Sequence, residues 1–153
     1  MDPNLLSLLR VLHFLGFAVW FGGALSIATD VRKTLTRGTP HTDVLADRVN
    51  RQVSIGLVAA LVTIGSGLGM LFAIGGFAAV GPRIHAGLSL ALVAFAVELL
   101  GLKPAIGRLR KAIAAGKADD LRAITGRIAM LTGIGHSLKL VTLLLMVFHI
   151  GAK

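Results

Sequence analysis

At 153 residues, 55% of them hydrophobic, and with a mean hydropathy of +0.83, the chain carries more apolar surface than one small water-soluble core can hide. Cysteine and tyrosine are absent, which excludes disulfides, thiolate metal sites and phenol relays and leaves His or Met to hold any transition metal. A formal charge of +9 would suggest nucleic acid in a soluble protein, but the basic residues gather in two connections between apolar runs. No nucleic-acid partner is expected, and the charge is read as membrane topology.

The expected fold is all-α: a single domain over residues 1–153, an integral membrane four-helix bundle whose partner is the lipid bilayer. Its spans are expected at about 5–29, 53–80, 84–102 and 128–150, each long enough to cross roughly 30 Å of hydrocarbon. Asp2-Pro3-Asn4 supplies a cap and early turn for the first helix. No positive n-region precedes this span and no small-residue cleavage site follows it, so it is expected to remain in the mature protein. Beyond it, Thr36-Arg37-Gly38-Thr39-Pro40 reads as a turn, and Asp43 to Gln52 resumes helical character before the second span.

The short connection Gly81-Pro82-Arg83 leads into the third span, and Pro104 marks where its membrane part ends or bends. Past Pro104, Ile106, Leu109 and Ile113 fall on one side of a helix with Arg108, Arg110 and Lys111 around the other, which suits the headgroup region. Arg32, Lys33, Arg37, Arg48 and Arg51 lie in the first basic connection. Lys103, Arg108, Arg110, Lys111, Lys117, Arg122 and Arg127 lie in the second. By the positive-inside rule both connections are cytoplasmic, both termini lie on the outer side, and the setting is a bacterial inner membrane. Gly65 and Gly69 have the spacing of a close helix contact, which would suit a homodimer.

Ionisable side chains inside a span are costly and usually functional. They are Arg10 and His13 in the first span, His85 and Glu98 in the third, and His136 and Lys139 in the fourth, with His149 at its end. His41 falls in the basic loop and is read as solvated. Glu98 and Lys139 are expected to pair, either as a structural tie or as part of a proton path. Two imidazoles from different helices of a four-helix bundle are a usual way to hold haem, so His13, His85, His136 and His149 are the candidate metal ligands, with haem b at one or two copies per chain.

His13, Gly16, Trp20 and Gly23 share one helical face. That face offers a ligand, two positions without side chains where a macrocycle would lie flat, and a ring to stack on it. Arg10, one turn away, and Arg83 are the candidate propionate partners. His85 is the expected second iron ligand, although simple counting sets it roughly 9 Å from His13 in depth, so helix tilt is needed to bring the two together.

The run His13-Phe14-Leu15-Gly16-Phe17-Ala18-Val19-Trp20-Phe21-Gly22-Gly23 resembles the first helix of the HemJ-type protoporphyrinogen IX oxidases and of the wider CopD-like set of small bacterial membrane proteins. Arg83-Ile84-His85 stands where the HemJ family has a lysine opening its third helix. The resemblance implies a haem b protein, with His13 in the place of the family histidine and His85 in that of the lysine. Histidine there would favour a low-spin, cytochrome b-like centre carrying electrons to or from a quinone-like or porphyrinogen partner. The missing tyrosines and the Gly22-Gly23 pair set the chain apart from HemJ and nearer the CopD-like pattern. A haem-dependent oxidoreductase acting on protoporphyrinogen is one alternative, and CopD-like copper transport using the histidines with Met70, Met130 and Met146 is the other.

Overall fold

A computed structural model describes residues 2–116 and 118–147. Among these residues there are helices and turns and no strand. Four helical columns are long and apolar enough to cross a membrane: Pro3–Arg37, Leu45–Ala73, Pro82–Ala114 and Asp120–Val147. At about 1.5 Å per residue they run roughly 42 to 52 Å, so each extends past the roughly 30 Å of hydrocarbon. The chain thus has the build of a multi-pass, four-helix membrane protein.

The first column is α1 (Pro3–Ala24) followed by α2 (Ile27–Arg37). Asp2 caps α1 by accepting from the Asn4 N–H at 2.9 Å, with Pro3 at the position where a missing N–H costs nothing. The helix steps at Leu25–Ser26, just after Gly22-Gly23. The Gln52 side-chain amide donates to the Gly23 carbonyl and to Ser26 Oγ, so polar groups loosened by the step find a partner on the neighbouring helix.

Helix α3 (Leu45–Ala73) starts well ahead of its apolar run because Leu45, Ala46, Val49 and Val53 form a buried stripe at helical spacing. It stops at Ala73, short of the expected Val80. Gly75 and Gly76 take φ of +113° and +80°, conformations that end a helix, and a single turn, Phe77–Ala79, follows. Helix α4 (Pro82–Ala96) passes through a π-helical segment, Val97–Leu102, into α5 (Lys103–Ala114). Pro104 therefore does not end the column. It lacks an N–H and its ring crowds the carbonyl four residues back, and the widened turn just before it lets the helix continue. The last helix, α6, runs Ala118–Val147; residues 148–150 of the fourth expected span lie outside the described residues.

Helices α1 and α3 pair along their length, as do α4 and α6. In the first pair Gly16 faces Ala59 and Thr63, Gly67 faces His13, and Gly69 faces Leu9. One number rises as the other falls, so the pair is antiparallel. A methyl group on Gly16 would stand 2.6 Å from Thr63 Oγ1 and 3.0 Å from the Ala59 carbonyl, so glycine is what lets these backbones approach. Gly87 of α4 and Gly101 of the π-helical segment make room for the α6 side chains of Met146 and Leu131.

The larger core cluster lies where α2, α3, α5 and α6 meet, with Val31, Leu45, Val49, Ile106, Leu109 and Ile128 among its members. The basic connections surround it, so this is the basic end of the bundle. Ion pairs reinforce it: Arg48 holds Asp30 through two nitrogens, at 2.8 and 3.1 Å, and Arg110 meets Asp47. As expected, Ile106 and Leu109 face inward on α5 while Arg108, Arg110 and Lys111 are exposed, but the apolar face packs on protein rather than on headgroups. Away from this end large apolar side chains such as Leu8, Phe14, Leu15 and Phe72 are exposed, as a hydrocarbon surrounding allows.

Candidate functional site

Where α1, the π-helical segment and α6 converge, Trp20, Glu98 and Lys139 form one bonded cluster. The Lys139 ammonium, fully buried, lies 2.8 Å from Glu98 Oε1 and 3.1 Å from the Trp20 carbonyl, both of which accept from it. The Trp20 indole N–H donates to Glu98 Oε2 at 2.6 Å, and the ammonium sits 5.3 Å from the centre of the indole rings. Each carboxylate oxygen thus has a donor, and the ammonium has two acceptors and a π face. Ala59, Ala60, Ala91 and Ala94 pack round Trp20, leaving it 1% exposed.

The expected Glu98–Lys139 pair is therefore present. Trp20 has a different place from the one its helical face suggested: its ring is closed in by the ion pair and the alanines rather than open to stack on a ligand. Gly16 is likewise no bed for a macrocycle, since α3 fills the space in front of it. Gly23 has no atom within 4 Å of a would-be Cβ, but its carbonyl is taken by Gln52. A single sequence marks a face as special without saying what covers it; here α3 and α6 cover it.

The histidines fall in separate places. The half-buried His13 ring lies against α3, with Nδ1 2.8 Å from the Thr63 carbonyl. His136 is also half-buried, with Nδ1 2.9 Å from the Thr132 carbonyl and its ring edge-on to Phe21 at 5.5 Å between centres. A carbonyl only accepts, so in the neutral rings Nδ1 holds the proton and Nε2 keeps the lone pair. His136 Nε2 is buried and has no hydrogen-bond partner. His85 is exposed and stacks on Phe77 with 20° between rings 5.9 Å apart, and His41 is exposed in the loop as expected. Arg10 and Arg83 are exposed at the end of the bundle opposite the basic one. His149 lies outside the described residues.

The Trp20–Glu98–Lys139 cluster fixes a common level across three helices, and Gly135, beside Glu98, puts His136 at that level. Counting away from it at about 1.5 Å per residue, His13 stands roughly 10 Å and His85 roughly 20 Å toward the opposite end. His13 and His85 have different neighbours: His13 lies against Thr63 and Gly67 within α3, and His85 stacks on Phe77 beyond the end of that helix. Among the described residues no three of His, Asp and Glu gather as a metal site.

Comparisons with family models, with curated proteins and with solved structures find no match.

Breaking a buried ion pair from one side leaves an uncompensated charge, at a cost of about 3–5 kcal/mol, whereas removing both charges together costs far less. Glu98→Gln and Lys139→Met are each expected to lower the unfolding midpoint in detergent strongly, and the double variant to recover most of the loss. A double variant as unstable as the sum of the two single changes would show that the two charges do not compensate each other.

Proposed function

We propose that the chain resides in a bacterial inner membrane with both termini outside, and that it binds haem b and passes electrons within that membrane. The topology rests on the clustering of basic residues: α2, α5 and the starts of α3 and α6 bring Arg32, Lys33, Arg37, Arg51, Arg108, Lys111, Arg122 and Arg127 to one end, the end expected to stay in the cytoplasm. The chain has no cysteine, so single cysteines report sidedness cleanly. In spheroplasts, Asn4→Cys is expected to react with a membrane-impermeant maleimide and Thr36→Cys only after lysis. The reverse pattern inverts the topology.

The haem reading is carried by His136. A metal-ligating histidine normally gives its other ring N–H to a carbonyl or carboxylate, which fixes the tautomer and aims the lone pair. His136 and His13 both have that arrangement, and His136 Nε2 is a buried acceptor with nothing to accept. Their donor chemistry fits haem iron, whereas His85 is exposed and stacked on Phe77, with no such carbonyl on its ring among the described residues. The reading therefore takes His136 as the axial ligand and His13 as the next candidate. Bound there, haem would supply a one-electron centre. The chain's own part is to hold the imidazole tautomer through Thr132 and to set Phe21 against the ring. The likeness of His13 to Gly23 to the HemJ-type and CopD-like first helix is the second support, and a quinone-like reductant is the partner class it suggests.

Protein purified from haem-replete cells is expected to be red and to give a pyridine haemochrome spectrum of haem b. His136→Ala is expected to lose most of the haem, and His13→Ala less. Colourless wild-type protein removes the reading, and loss with His13→Ala alone moves the ligand. Stoichiometric copper without haem would favour transport, although Met130 is exposed and Met146 is packed on Gly87 rather than aligned with it. Rescue of a strain lacking protoporphyrinogen oxidase would favour the enzyme reading.

A further inference from the structure

The tight approach of α1 to α3 has a second result on the outward side of that pair. Where the backbones come close at Gly16 and Ala59, the longer side chains on either hand stand up as walls: Leu12, Leu15 and Val19 on α1, and Ile55, Val58 and Val62 on α3. Together they enclose an open groove of about 490 Å³. All six wall residues are substantially exposed, so the groove opens to whatever surrounds the bundle. Its lining is apolar except at one end, where Arg51 and Ser54 close it.

That end carries two cations. Arg51 is exposed and makes no ion pair among the described residues, and the Lys103 ammonium donates to Ser54 Oγ, which brings a second positive charge to the same place. From Arg51 to Val62 the groove follows α3 for roughly 16 Å at 1.5 Å per residue. One leaflet of hydrocarbon is about 15 Å deep, half of a roughly 30 Å core. The groove therefore begins at a cationic pair where headgroups would lie and ends near the middle of a bilayer.

We propose that this groove is a binding site for one anionic phospholipid of the leaflet at the basic end. Its phosphate is held by Arg51 and Lys103, and an acyl chain lies between α1 and α3 over Gly16 and Ala59. Charge complementarity points to this occupant. An anionic lipid carries a negative headgroup and an apolar chain in the same order as the groove carries its two cations and its apolar walls, with the charge at the depth of Arg51. A zwitterionic lipid would fill the apolar part equally well but gain less from the cations. The proposal is independent of haem.

The test is native mass spectrometry of the full chain in detergent, supplied with equal amounts of phosphatidylglycerol and phosphatidylcholine. The wild type is expected to retain one phosphatidylglycerol in clear preference. With about 1 kcal/mol per cation near a membrane surface, Arg51→Ala and Lys103→Ala should each reduce that preference about fivefold. Val58→Trp, which fills the groove and leaves both charges, should abolish retention of the lipid. Equal retention of the two lipids by the wild type overturns the proposal, as does a Val58→Trp variant that still holds phosphatidylglycerol. A stable dimer that excludes added lipid and dissociates on Val58→Trp would overturn it too, assigning the groove to a second copy.

Discussion

Taking an ammonium or a carboxylate out of water costs several kcal/mol even after the surroundings relax, and in hydrocarbon no water is at hand to share the cost. Lys139 has no exposed surface and Glu98 has 4%, so either charge alone would be among the least favourable features of the bundle. Held together, and bonded to both the indole N–H and the carbonyl of Trp20, they join α1, the π-helical segment and α6 at one point. Each partner needs the other two helices in register. The cluster therefore does for this bundle what a polar position does in a coiled coil, selecting one arrangement among apolar surfaces that would otherwise slide.

The ends of the molecule follow from the same contrast between hydrocarbon and water. At the basic end the helices outrun the membrane, so they must hide apolar side chains from water, and α2, α3, α5 and α6 build a conventional core there. Away from that end large side chains such as Phe14 face outward, because lipid is as good a surrounding as protein. On their inner faces there the helix pairs touch through glycines and alanines. Close approach supplies dispersion energy where the hydrophobic effect supplies little. The groove over Gly16 is a by-product of that approach, since backbones brought together leave their longer neighbours standing on either side.

The four apolar columns are legible in the sequence because an apolar run of spanning length has few places to go but a bilayer. So is the Glu98–Lys139 pair, since two opposite charges on neighbouring spans have little choice but to meet. Boundaries are less legible. The helical stretch expected over Asp43 to Gln52 is present as the start of α3 at Leu45, but Gly75-Gly76 ends that helix inside a run that still reads as hydrophobic. Pro104 reads as an end or a bend because the usual α-helical ladder cannot accommodate it, while a π turn lets the column continue. The face of His13, Gly16 and Trp20 stands out in the sequence, but its residue types mislead about its use. Small residues that admit a flat ligand equally admit another helix, and a tryptophan among them is as well placed to bond a buried carboxylate as to stack on a cofactor. His136 is visible only as a histidine in a span. Its unpartnered Nε2 depends on packing with α1 that no local pattern encodes.

The chain has a single tryptophan, so one indole N–H resonance reports directly on the cluster that organises the bundle. Nitrogen-proton correlation spectra of the protein in lipid nanodiscs should show that resonance strongly downfield and nearly inert to exchange with deuterated water, and Glu98→Leu should move it upfield. An indole proton that exchanges freely in the wild type, or one whose position ignores the loss of the carboxylate, would contradict the account.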